Sequence, residues 1–205
     1  MATSKHFTVE IKPTIPGERQ SVNSAVYSDN DVIFDWEAFD IPSGAAKLTS
    51  ITLIEKGKDG AKPTAADIDF LFAKTIDGVA PSTLGTSNST ANGSPGLTNN
   101  IIGYTKLDSL DYGNAPFDHF GVAASGSGAA ASNIPAVVLQ GEPNTGTTKG
   151  FDRLYIAACS GDNSRSYGTT VLVRGAIAAD STTTIPTDAG SDDDPNHYQR
   201  TQQNQ

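Results

Sequence analysis

The residues with the clearest catalytic potential are Asp118 and His119, which are followed closely by Ser125 and Ser127. A hydrolase triad needs a separately positioned acid and a nucleophile on a strained turn, so we favour a surface histidine in a loop. The chain lacks the G-x-S-x-G, Walker, H-E-x-x-H and paired C-x-x-C motifs. Its one cysteine, Cys159, lies in an apolar run that predicts a buried packing thiol. We therefore predict a non-enzymatic protein with no catalytic residues.

Three groups of carboxylates offer oxygen ligands for a cation. Calcium takes six to eight oxygens, and none of the groups has the EF-hand spacing. Turn formation explains the first two groups, and a solvated acidic tail explains the third. We predict no metal and no cofactor. The groups are Asp29-Asn30-Asp31, Asp108-Ser109-Leu110-Asp111, and Asp192-Asp193-Asp194 with His197.

Three aromatic residues, Tyr27, Trp36 and Phe39, lie close together in the sequence and could form a platform for stacking a sugar. Aromatic residues in such a hairpin are more often core or interface anchors. Asn88-Ser89-Thr90 and Asn92-Gly93-Ser94 match the glycosylation pattern, which has no weight without a signal peptide.

The charge of the chain argues against two classes of partner. A net charge of −9 with a pI near 4.6 opposes binding to nucleic acid or to an anionic membrane, because both need clustered Lys and Arg. The opening MATSKHFTVE has no apolar signal-peptide core, and no apolar run is long enough to span a membrane. We expect synthesis in a host cytoplasm without a signal peptide.

Alternation of apolar and polar residues predicts about eight short strands bounded by Gly, Pro, Asn and Asp turns. The segment after Pro63-Thr64 also resembles a helical capping box, but Ile68, Phe70 and Phe72 alternate as in a strand. The pattern predicts an all-β, antiparallel β-sandwich or jelly-roll-like domain. The strands are Phe7–Ile11, a hairpin of Val22–Tyr27 and Val32–Trp36, Ala46–Glu55, Asp67–Lys74, Ala136–Gln140, Arg153–Cys159 and Thr169–Ala178.

Two stretches, Gly78–Thr105 and Phe120–Gly141, contain no charged residue. They predict either long flexible loops or surfaces that lie against other subunits. Residues 180–205 contain five Asp and one Arg, so this segment holds −4 of the −9 and has too few apolar residues to fold alone. We therefore divide the chain into a β domain, 1–179, and an acidic, flexible, extended C-terminal arm, 180–205.

Three segments resemble virion structural proteins of tailed bacteriophages, particularly those of marine cyanophage-like genomes. They are FTVEIKPTIPGERQSVNSAVYSDNDVIFDWEAFDIPSGAAKLTSITLIEKGKDG, DIDFLFAKTIDGVAPSTLG and FDRLYIAACSGDNSRSYGTTVLVRGAIAA. The resemblance implies a non-catalytic β domain that decorates or cements a phage particle, with no functional residues to transfer.

On this resemblance we expect a capsid decoration or accessory protein in the virion, with other virion proteins as partners. A homo-oligomer is expected, and the resemblance favours a trimer. The alternative is a carbohydrate-binding or adhesin-type β module, including a phage tail or fibre subunit.

Overall fold

The computed structural model describes residues 5–13, 15, 26–41, 46–56, 65–114, 118–124, 137–142, 153–163 and 170–179. These residues are mostly β-strand, and every strand pairing among them is antiparallel, which confirms the predicted all-β class. The described residues also include one short helix and one 3-10 helix, Ser109–Asp111. In chain order the elements are β1 (Lys5–Ile11), β2 (Val32–Asp40), β3 (Ala46–Lys56), β4 (Ile68–Lys74), α1 (Pro95–Thr98), β5 (Ile101–Leu107), β6 (Tyr112–Asn114), β7 (Asp118–Ala124), β8 (Val138–Leu139), β9 (Arg153–Ser160) and β10 (Thr170–Ala179).

The strands form two sheets in which distant parts of the chain are neighbours. One sheet has the order β1-β10-β3-β7-β6, with β8 also paired to β3. The other has the order β2-β9-β4-β5. Since β1 pairs with β10 and β2 pairs with β9, the first and last described strands are held together by long-range ladders.

Both sheets contribute to one hydrophobic core. Leu48 and Leu53 of β3 belong to the same buried cluster as Phe70 and Phe72 of β4. Burying such a side chain fully stabilises the fold by about 1.5–3 kcal/mol relative to leaving it exposed. On β4 the buried residues alternate, so the segment is a strand, as predicted, and not the helix that the capping-box pattern would allow.

A β-bulge in β3 changes which residues face the core. Simple alternation places Leu48 and Ile51 on opposite faces of the strand, yet both are 1% exposed. The register with β10 passes from Ser50 opposite Ala176 to Leu48 opposite Ile177, so two residues of β3 are matched by one of β10. The extra residue reverses the alternation, and both side chains enter the core.

The predicted hairpin of Val22–Tyr27 and Val32–Trp36 is found only in part. Its turn is present, since Asp31 N–H donates to Ser28 O at 3.0 Å. Residues 22–25 lie outside the described residues. Among the described residues β2 is paired with β9, and its first residue exchanges hydrogen bonds with Asn88 and Ser89.

The uncharged stretch Gly78–Thr105 is not a long loop without structure, which corrects that expectation. It contains α1 and most of β5, and its loop packs on the four-stranded sheet. Leu84 and Leu97 are buried there in a second cluster with Val32 and Cys159. Part of the stretch is therefore covered by the chain's own sheet, although many of its other uncharged residues are exposed.

The second uncharged stretch, Phe120–Gly141, contains most of β7 and all of β8, so it too is not a continuous loop. β8 is shorter than the predicted Ala136–Gln140. Residues 125–136 and the arm 180–205 lie outside the described residues.

Candidate functional site

Four loop segments meet at one end of the four-stranded sheet: residues 28–31, 67, 108–109 and 160–163. We call this group the loop junction. Backbone hydrogen bonds join its members: Asn30 N–H donates to Ser160 O at 2.8 Å, and Ser160 N–H donates to Asp31 O at 2.8 Å. Gly161 N–H donates to Asp67 O at 2.9 Å. Of the carboxylates that the sequence offers as cation ligands, the junction contains Asp29, Asp31 and Asp108.

Asp67 is the centre of the loop junction. Its carboxylate pairs with Lys106 Nζ and accepts the Ser109 N–H at 2.7 Å, while its own N–H donates to Asp162 Oδ2 at 3.0 Å. Burial of Asp67 opposes ionisation, but the bonds from Lys106 and Ser109 outweigh it and lower the pKa of the carboxyl. Asp67 is therefore a fixed anion that holds a strand end to the 3-10 helix.

Asp69 lies on β4, two residues after Asp67, and accepts a hydrogen bond from Tyr104 Oη at 2.7 Å. Burial raises the pKa of Asp69, although Tyr104 and Lys106 act in the opposite direction. Burial and the neighbouring Asp69 also raise the pKa of Tyr104. The phenol therefore stays protonated near neutral pH and serves as a cross-strand donor, not as an acid or base.

The first two carboxylate groups that the sequence offers as cation ligands act in turns. Asp31 Oδ2 accepts the Ser28 N–H at 2.7 Å, and Asp108 Oδ1 accepts the Leu110 N–H at 2.8 Å at the start of the 3-10 helix. Within the described residues, no group of three or more His, Cys, Asp or Glu is placed to hold a metal ion. Asp192-Asp193-Asp194 and His197 lie outside the described residues.

The three aromatic residues do not form a stacking platform. Tyr27 is fully buried, with its Oη 2.8 Å from Ser87 Oγ, and Phe39 is buried in the shared core. Trp36 is partly buried against the second cluster. A sugar could not reach the faces of Tyr27 and Phe39, so these rings act as core anchors.

Cys159 is a buried free thiol, as the sequence predicts. Burial raises the pKa of Cys159 to about 12, and nearby carboxylates, first that of Asp69, add to the shift. A thiol with that pKa supplies almost no thiolate at neutral pH, so Cys159 is not a nucleophile in the folded protein.

The remaining catalytic candidates are only partly described. Asp118 and His119 begin β7, where His119 is in register with Glu55 of β3 and Asn114 of β6. His119 therefore lies in a strand, which corrects the expectation of a loop. Ser125 and Ser127 lie outside the described residues.

A group that sequence reasoning missed is the loop clamp, formed by Asp35 and Trp36 of β2 with Ser82, Thr83 and Leu84. Asp35 accepts the Thr83 hydroxyl at 2.5 Å and the Leu84 N–H at 2.9 Å. The Trp36 indole N–H donates to Ser82 O at 2.9 Å. The clamp holds the loop against the four-stranded sheet, and no local pattern signals it because its partners are far apart in the chain.

Glu142 is a second missed residue. Its two carboxylate oxygens accept the N–H groups of Asp77, at 2.9 Å, and Gly78, at 3.2 Å. Asp77 and Gly78 both have positive φ, as the two central residues of a type I′ hairpin turn require. Residual burial opposes ionisation of Glu142, but these bonds outweigh it and lower its pKa.

No helix within the described ranges has the length and apolar character needed to cross a membrane. Comparison of the chain with protein-family models gives no match, and comparison with curated proteins gives none either.

Proposed function

We propose that the chain is a non-enzymatic structural component of a bacteriophage virion, most simply a capsid decoration or accessory protein. The observation that carries this proposal is that side chains able to do chemistry serve instead to stabilise the fold. Asp31, Asp67 and Asp108 fix turns and loops, Tyr104 is a cross-strand donor, and Cys159 is core. The arrangement stabilises a scaffold, and the resemblance of three segments to phage virion proteins gives that scaffold its context.

We further propose that the two sheets pack face to face as an antiparallel β-sandwich, similar to a jelly roll, within residues 1–179. The shared core supports this, because residues from both sheets belong to one buried cluster. Residues 180–205 form an acidic arm in this proposal.

Attachment to the particle is proposed to depend on that arm. Its five Asp against one Arg suit a basic docking surface on another virion protein. Leu84 and Leu97 of the uncharged stretch Gly78–Thr105 are buried on the chain's own sheet, so the stretch gives weaker support for subunit contacts than the arm does. A homo-oligomer, with a trimer favoured by the resemblance, remains part of the proposal.

The test compares three purified proteins: the full chain, a truncation after Ala179, and an arm variant with Asp192→Asn, Asp193→Asn and Asp194→Asn. Native mass gives the oligomeric state, and cosedimentation with particles that lack the protein gives attachment. We expect the truncation to retain its β circular dichroism spectrum but to bind weakly. The triple variant should bind with a reduced dependence on salt.

Two results would count against the proposal. One is a full-length monomer that never binds the particle, and the other is a truncation that binds as tightly as the full chain. A triple variant whose binding depends on salt as strongly as that of the full chain would contradict the basic docking surface alone.

A further inference from the structure

Asn92 and Gly93 form the one Asn-Gly dipeptide in the chain, and both residues are exposed. They lie between the loop that packs on the four-stranded sheet and α1. A Cβ placed on Gly93 would meet nothing within 4 Å. The Gly93 N–H forms no hydrogen bond with the described residues. We propose that Asn92-Gly93 is a site of spontaneous deamidation, independent of the proposed virion role.

The reaction needs only the chain and water. The Gly93 backbone nitrogen loses its proton and attacks Cγ of Asn92, so that a C–N bond forms. The bond between Cγ and Nδ2 then breaks, and the side-chain NH2 group takes up a proton and leaves as ammonia, giving a five-membered succinimide. Water then opens the ring at either carbonyl. One opening gives aspartate, and the other gives isoaspartate, in which the main chain passes through the former side chain. No redox change occurs.

Glycine is the residue that most favours this attack. It has no Cβ to obstruct the approach of its nitrogen to Cγ, and its backbone reaches the required conformation at low cost. Asn88, by contrast, is followed by Ser89, which has a side chain. The Ser89 N–H donates a hydrogen bond to Thr86 O at 3.1 Å. Asn100 is buried, and its side chain donates to Lys74 O at 2.8 Å.

The type I′ turn at Asp77-Gly78 provides an internal comparison. An Asp-Gly pair can form the same succinimide, with water as the leaving group. There the glycine N–H is held by Glu142 Oε2 at 3.2 Å. The nitrogen must give up this bond before it can attack, so we expect the turn to be protected and Asn92 to react first.

The product would alter how the loop is held. Asn92 N–H donates to Leu84 O at 2.6 Å, and Ala91 N–H donates to Asn30 O at 2.9 Å. Isoaspartate lengthens the main chain immediately after the first of these bonds and adds a negative charge. We therefore expect faster amide exchange around Leu84 in the isoaspartate form than in freshly prepared protein.

The experiment incubates full-length protein at mildly alkaline pH and follows each asparagine by peptide mapping, with fragmentation that separates aspartate from isoaspartate. Gly93→Ala is the principal variant, because open space around Gly93 lets the fold accept the methyl group. Asp77→Asn is the matched control, since it places a second Asn-Gly pair in the turn that Glu142 binds. Type I′ turns favour Asn-Gly as they favour Asp-Gly, so the turn should be kept.

We expect conversion at Asn92 to exceed that at Asn88 and Asn100, and to fall severalfold in Gly93→Ala. In Asp77→Asn, position 77 should convert more slowly than Asn92 in the folded protein, and the two should become similar in denaturant. Conversion at Asn92 no faster than at Asn100, or unchanged by Gly93→Ala, would overturn the proposal. Faster conversion at position 77 than at Asn92 in the folded variant would overturn the protective role of Glu142.

Discussion

Gly103 of β5 lies so close to Val137 that a Cβ at position 103 would overlap the Val137 Cγ1 methyl group. Val137 O accepts the Leu48 N–H at 3.0 Å, so this residue is anchored to β3 of the other sheet. The contact therefore joins an edge of the four-stranded sheet to the six-stranded sheet. A side chain at position 103 would therefore have to displace the side chain of Val137 or the backbone that carries it.

This relationship gives a double-mutant prediction. Gly103→Ala should destabilise the protein by about 1–3 kcal/mol through overpacking. Val137→Ala removes the obstructing methyl groups, so the two changes together should cost less than the sum of their separate effects. Chemical denaturation of the four proteins measures this coupling. Additive costs would show that the two residues do not constrain each other.

The loop clamp predicts a change in the fluorescence of the one tryptophan. Asp35→Ala leaves the Thr83 hydroxyl and the Leu84 N–H without their charged acceptor, at a cost of about 1.5–3 kcal/mol. Because the Trp36 indole is bonded to Ser82 of the same loop, its emission should shift towards that of a solvated indole.

Asp40→Ala is the matched control for the loop clamp. Asp40 is an exposed carboxylate of the same strand, paired with Arg153 at 3.3 Å, and a surface pair of this kind contributes about 0–1 kcal/mol. Its loss should leave the Trp36 emission unchanged. Equal spectral changes in the two variants would contradict the clamp.

Glu142 predicts a pH-dependent contribution to stability. Its pKa in the folded protein lies below the ordinary value of 4.5, so its contribution is present above that value and is lost as the pH falls through the folded pKa. The stability difference between the parent and Glu142→Gln should therefore shrink as the pH is lowered from 7 towards 3. Glu37→Gln, at an exposed position on β2, is the control for removing one carboxylate. If the stability difference between the parent and Glu142→Gln grew on acidification, the stabilising role of the ionised Glu142 would be contradicted.

Cys159 predicts slow thiol chemistry. With its pKa raised to about 12 by burial, the thiol should react with a disulfide reagent far more slowly in the folded protein than in denaturant. Rates measured with and without denaturant test this, and equal rates would show that Cys159 is accessible.

Local pattern was enough to identify the elements with strict alternation. The run Ile68, Phe70, Phe72 is a strand because one face of it enters the core. Cys159 is the last residue of an apolar run, Leu154–Cys159, most of which is buried. Such features depend on neighbours in the sequence. The predicted buried thiol and the all-β class follow from them.

Other features depend on contacts between residues that are distant in the chain, and no local sequence pattern predicts them. The bulge beside Leu48 is set by the register with β10, and the burial of Leu84 depends on β2 and β9. The uncharged stretch Gly78–Thr105 has the composition of a loop, yet it packs on a sheet through the buried Leu84 and Leu97 and the hydrogen bond from Leu84 N–H to Asp35. Composition alone could not distinguish that arrangement from a subunit contact.

The proposed role of this chain as a structural part of a virion is tested most directly by cryo-electron microscopy of the native particle. We predict density for the two-sheet domain at symmetry-related positions on the particle, in stoichiometric copy number, with the segment after Ala179 contacting a basic surface of another virion protein. Density for the domain on a tail or fibre would keep the virion role but contradict the capsid position. A purified particle with no copies of the chain, by density and by mass spectrometry, would contradict the account.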